Sequence, residues 1–143
     1  MPIARHTIND FSEGQEFSFT QAITSEDIDA FARVSGDLSP VHMSEAFAKE
    51  CGFQGRVVHG ALLVSYISQM VGVHFPGGNC LLNSLNVKFH APCFEGDTVE
   101  IKARVDQISE GVNVMLLGIA IENVKSRTIL AKSKVQVSFL KFN

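Results

Sequence analysis

The sequence has no tryptophan, one tyrosine and only three cysteines in 143 residues. Cys51, Cys80 and Cys93 stand far apart, and no Cys-x-x-Cys pair occurs. A zinc knuckle and a disulfide framework are therefore excluded, and free thiols in a reducing compartment are expected. There is no excess of positive charge: the net value is −3, which argues against a general nucleic-acid binder. Long apolar runs are missing too. The longest, residues 61–73, is broken by Ser65, Ser68 and Gln69 and falls far short of the ~20 residues that cross a bilayer. The opening MPIARHTIND has no apolar stretch of secretory type. These absences predict a soluble, cytoplasmic protein without a membrane partner. No repeat, low-complexity tract or linker divides the chain, so residues 1–143 are expected to form one domain. At 45% hydrophobic and 19% charged residues the chain is globular, not disordered.

What is present shows as a change of period. QEFSFT (15–20) alternates and predicts a short strand. Thr24-Ser25-Glu26-Asp27, followed by Ile28, Phe31, Ala32 and Val34, predicts a capped helix ending near Ser35-Gly36. Pro40 argues against regular helix over 37–42. Residues 44–51 predict a second short helix, with Ser44 as cap and Gly52 as terminator. After His59-Gly60 comes ALLVSYISQMVGV, apolar around most of its circumference and so expected to be a buried helix.

From residue 80 the period becomes two. Leu81, Leu85, Val87 and Phe89 are expected on one strand face, followed by strands at 99–105, 112–122 and 129–139. Four long segments, three of them joined by short turns, predict an antiparallel meander. A buried helix needs a surface to wrap it. The expectation is an α+β fold: a curved antiparallel sheet of about five strands around a central helix, the hot-dog arrangement. A helix apolar all round also suggests cover from a second protomer.

Several residues could carry chemistry. Asp37 and His42 flank Leu38-Ser39-Pro40-Val41, where proline fixes the local path. A carboxylate and an imidazole held together can do acid–base work on water. A turn-capping aspartate and a surface histidine explain the same spacing. His59-Gly60 leads into the central helix, whose first amides lack intrahelical acceptors and attract an oxyanion; an ordinary glycine N-cap is the plainer reading. Ser68 lies eight residues beyond Gly60, ~12 Å along a helix axis. It is a candidate pocket contact or a hydroxyl bonded back to its own helix, and Ser65 competes for either role. Lys88 and Arg56 could meet an anionic ligand, though single cations are usually solvated surface. The histidines show no metal-binding spacing, so no metal site is expected. Gly77-Gly78 is too short for a phosphate loop.

Taken jointly, Ser35-Gly36-Asp37-Leu38-Ser39-Pro40-Val41-His42, Gly52-Phe53 and Val58-His59-Gly60-Ala61-Leu62-Leu63 resemble the MaoC-like (R)-specific enoyl-CoA hydratases, which are hot-dog proteins. So do Ser68 and Phe89-His90-Ala91-Pro92-Cys93-Phe94-Glu95-Gly96-Asp97. The resemblance runs from about residue 15 to the C-terminus. It implies reversible syn addition of water to a trans-2-enoyl thioester. Asp37 and His42 would be the catalytic dyad, the Gly60 amide the oxyanion donor, and Ser68, His59 and Ala61 substrate contacts. No cofactor is implied beyond the coenzyme A of the substrate, for which an acyl-carrier protein could substitute. A homodimer or dimer of dimers is implied as well. Ser39 stands where the family usually has asparagine, and Ser44 where an acidic residue is common. A hot-dog thioesterase is a competing reading, disfavoured because the central helix carries no Asp or Glu. A non-catalytic acyl-CoA-binding module is the third.

Overall fold

The computed structural model describes residues 2–143. Strand β1 (Glu16–Ala22) is followed by helices α1 (Ser25–Ser35), α2 (Pro40–Met43), α3 (Glu45–Glu50) and α4 (Gly60–Gln69). Strands β2 (Cys80–Phe89), β3 (Thr98–Ser109), β4 (Val114–Asn123) and β5 (Ile129–Phe139) complete the chain. The five strands form one antiparallel sheet in the order β1-β3-β4-β5-β2. Together with α4 this is the expected α+β hot-dog fold.

Alternation produces the sheet's inner face. Ile101, Ile121 and Ala131 lie in one cross-strand row, Ala103, Ile119 and Ser133 in the next, and Val105, Leu117 and Val135 in a third. All nine are buried. Apolar side chains on that face gain by leaving water together, and cross-strand neighbours fix the register. From α4, Leu62, Leu63, Tyr66 and Ile67 join the same core.

The helix starts are legible physical chemistry. Thr24 accepts the Asp27 amide at 3.2 Å while Asp27 accepts the Thr24 amide at 2.9 Å, a reciprocal capping box. Ser44 caps α3 by accepting the Phe47 amide at 3.1 Å.

Four expectations need correction. Strands β3, β4 and β5 form a meander, but β2 pairs with β5 and not with β3. Both edges of β3 are already taken by β1 and β4, so β2 fills the free edge of β5. Within β2, a bulge between Leu82 and Ser84 places Leu82 with Leu85 and Val87 against the core and leaves Leu81 exposed. A single turn of helix does form at 40–43: Pro40 occupies its first position, where the missing N–H has no intrahelical role. Finally, α4 is not buried all round. Ala61, Ser65 and Ser68 form an exposed stripe at three- and four-residue spacing, because the sheet covers only one side of the helix. Beyond Gln69 the helix loosens into a π-helical turn, Met70–His74.

Candidate active site

Gly36 ends α1 with φ 76, a left-handed conformation that glycine adopts without a Cβ clash, and it turns the chain towards Asp37. The Asp37 carboxylate accepts the Ser39 amide at 3.1 Å. Ser39, in the place of asparagine, thus still supplies the backbone bond that aims Asp37, though its side chain caps nothing. One helical turn later stands His42.

Segment 56–59 runs beside this loop and grips it by several bonds. The Val57 amide donates to the Val41 carbonyl at 3.1 Å. Arg56 Nε donates to the His42 carbonyl at 2.7 Å, and its Nη2 pairs with Asp29 Oδ1 at 2.7 Å. His42 Nδ1 lies 2.7 Å from the Val57 carbonyl. A carbonyl only accepts, so Nδ1 carries the proton and the neutral ring keeps its lone pair on Nε2. That Nε2 stands 3.8 Å from Asp37 Oδ2. The distance is too long for a direct hydrogen bond and suits one shared oxygen between the two groups. Arg56, read from sequence as solvated surface, is 13% exposed and is part of this frame.

His59 lies 1% exposed beneath the dyad. Its Nε2 is 3.0 Å from the Asp37 carbonyl, its ring stacks on His42 at 4.0 Å between centroids, and it meets Phe31 in a tilted contact at 4.9 Å. Asp37, His42 and His59 each offer an atom within 4.8 Å of the others, a spacing that could hold a metal ion. One nitrogen of each imidazole is already committed to a carbonyl, so the cluster offers a cation only what the hydrogen bonds leave over.

A cavity of about 390 Å³ adjoins His42 and is lined by Val57, Gly60, Leu63, Phe89 and Cys93 among others. Gly60 opens α4, so its N–H has no intrahelical acceptor. A Cβ at Gly60 would lie 3.0 Å from the Phe89 ring, so glycine is what lets that ring close over the helix start. Burial pushes the Cys93 thiol up to about 12, with the Asp97 charge adding to the effect. A thiol so hard to ionise is a poor nucleophile.

The structure thus brings Asp37, His42, His59 and Gly60 together. Ala61 and Ser68 point outward from α4, away from the cavity lining. His59 is packed under the dyad instead of facing the cavity. Sequence reasoning missed Val57, whose contribution is a backbone carbonyl, and Phe89 as the cover of Gly60. For Phe89 the usable signal was its position directly before the His90-Ala91-Pro92 turn.

A helix lying in a curved sheet, with a carboxylate and an imidazole converging beside its amino end, defines a hot-dog protein of MaoC type. The chain belongs to the MaoC-like domain family, whose sequence profile matches residues 9–123. It is 37% identical over 94 residues to an (R)-specific enoyl-CoA hydratase of Rhodospirillum rubrum, covering 66% of this chain and 65% of that protein. It is 37% identical over 86 residues to a 3-hydroxybutyryl-CoA dehydratase of Methylorubrum extorquens, covering 60% of this chain and 55% of that one. The chain therefore spans less than two thirds of either relative. Among solved structures, the (R)-hydratase from A. caviae involved in PHA biosynthesis superposes with TM-score 0.86 at 26% identity, covering 90% of this chain and 97% of that one.

Proposed function

We propose that the protein is an (R)-specific enoyl-CoA hydratase and, in reverse, a 3-hydroxyacyl-CoA dehydratase. The observation that carries this reading is the aim of Asp37 Oδ2 and His42 Nε2 at one point, 3.8 Å apart, with the His42 tautomer set by Val57. A water at that point donates one proton to His42 Nε2 and the other to the Asp37 carboxylate as hydrogen bonds. When the water attacks the β-carbon of the enoyl thioester, His42 accepts its proton. Charge moves to the thioester oxygen, where the Gly60 amide and the positive end of the α4 dipole stabilise it. The dyad then returns a proton to the α-carbon. Because the dyad lies on one face of the flat substrate, addition is syn. The (R) configuration follows from the family.

This chemistry calls for no resident cofactor; coenzyme A, or an acyl-carrier protein, is part of the substrate. We read residues 1–143 as one catalytic domain. Its three free thiols support residence in the cytoplasm. Among the described residues no helix is long and apolar enough to cross a membrane. The outward stripe of α4 and the open edge of β2 support assembly as a homodimer or a dimer of dimers.

The test is turnover of a short trans-2-enoyl-CoA, followed by loss of the conjugated absorbance and by the configuration of the hydroxyacyl product. Hydration to the (R)-3-hydroxyacyl thioester is expected. No change at high protein concentration refutes the reading. Enoyl thioesters of graded length, on coenzyme A and on a carrier protein, define the preferred substrate. Saturated acyl-CoA incubated in parallel reports any thiol release, the mark of a thioesterase.

A further inference from the structure

His59 touches both members of the dyad. Its ring face stacks on His42, and its Nε2–H donates to the backbone carbonyl of Asp37 at 3.0 Å. Its other nitrogen, Nδ1, is buried without a hydrogen-bond partner among the described residues. Burying a nitrogen in that state works against stability. An apolar ring would fill the slot between Phe31 and His42 without that penalty. What an apolar ring lacks is the donor to Asp37.

The Asp37 carboxylate itself is loosely held. It is 49% exposed and accepts one amide, that of Ser39. Its position therefore depends on where the Asp37 backbone is pinned: the amide donates to Ser35 Oγ at 3.1 Å on the side of α1, and the carbonyl is held from across the loop by His59. The other end of the loop is held separately, by Arg56 on the His42 carbonyl.

We infer that His59 is a positioning residue: it fixes the Asp37 backbone and the His42 ring in one frame, so that carboxylate and imidazole meet at a single water. This rests on the hydratase reading for its kinetic consequence, not for its geometry. Small displacements of a reacting group cost on the order of 10² in rate.

Two variants separate the donor from the packing. His59→Phe keeps an aromatic ring in the slot and removes the donor. His59→Gln loses the ring and keeps an amide N–H close to the place of Nε2. With a short trans-2-enoyl-CoA, His59→Phe is expected to lower kcat roughly 100-fold with KM changed less than about 3-fold. His59→Gln is expected to recover most of that loss. In the ligand-free protein, hydrogen exchange at the Ser39 amide is expected to speed up in His59→Phe and not in His59→Gln. A merely structural His59 gives the opposite outcome: both variants melt earlier, yet kcat per folded molecule and Ser39 exchange stay as in the wild type. That result overturns the inference. If the wild type shows no turnover, the hydratase reading fails, and Ser39 exchange alone decides the role of His59.

Discussion

Strands β3 to β5 and the segment from Gly36 to Gly60 are held by different kinds of force. In the strands, rows of buried aliphatic side chains repeat with period two, and the backbone bonds follow from the register. Any one side chain there is supported by many neighbours. The segment contains two helices of four and six residues, too short to stand alone. It is placed by individual bonds: Val57 to Val41, Val57 to His42, Arg56 to His42, His59 to Asp37. Hydrophobic burial is tolerant of small shifts and supplies stability. A chain of specific hydrogen bonds is intolerant of them and supplies position. The contrast assigns stability to one region and aim to the other.

The contrast can be broken most sharply at the dyad. Asp37→Asn and His42→Ala are each expected to lower hydration by roughly 10²–10⁴-fold. The Asp37→Asn thermal midpoint is expected to stay close to that of the wild type, because the side chain is half exposed. A large stability loss in Asp37→Asn would contradict the division. The converse experiment is Leu117→Ala, which empties a fully buried site between Val105 and Val135. Chemical denaturation is expected to show a loss of about 2–5 kcal/mol, with kcat per folded molecule unchanged.

A milder test lies at the junction of the two regions. In Gly60→Ala the new methyl meets the Phe89 ring, which is itself 52% exposed and able to swing away. Stability is expected to change by less than about 1 kcal/mol, while turnover falls around tenfold. Adding Phe89→Ala relieves the contact, so the double variant is expected to be non-additive in a double-mutant cycle. The smallest effect is a count of reactive thiols. Cys51 is exposed, whereas burial holds the Cys80 and Cys93 thiols up at about 11 and about 12. A thiol reagent at neutral pH is expected to label one cysteine rapidly and the other two only after denaturant is added.

The same division explains what could be read in advance. The strands at 99–105 and 129–139, the Thr24 cap and the Ser44 cap follow from side-chain type and spacing, and the sequence carries both. The pairing of Asp37 with His42 was not legible from spacing, which a turn-capping aspartate and a surface histidine explain equally; it was implied only by the family resemblance of the flanking motifs. The position of β2 beside β5 was hidden, because alternation marks a strand and not its neighbour. The single helical turn at Pro40 was hidden for a different reason: proline breaks a helix interior and tolerates its first residue, and spacing does not say which applies. The inward turn of His59 and the carbonyl of Val57 were beyond reach. One depends on tertiary packing, and the other on a backbone atom that every residue possesses.

Arg56 extends the argument to how the centre comes apart. Its guanidinium meets Asp29 on α1, the backbone of His42 and, at 3.9 Å, Glu95 in the turn before β3. These partners come from separate stretches of chain and have no local reason to meet. The loop that bears Asp37 and His42 is therefore braced by α1 and by the turn before β3, elements that the fold and not chain proximity brings to it. Mild denaturation that loosens this brace is expected to disturb Asp37 and His42 while the sheet is still formed. Turnover is expected to vanish before the sheet itself comes apart, which activity and far-UV circular dichroism followed together through a denaturant titration will show.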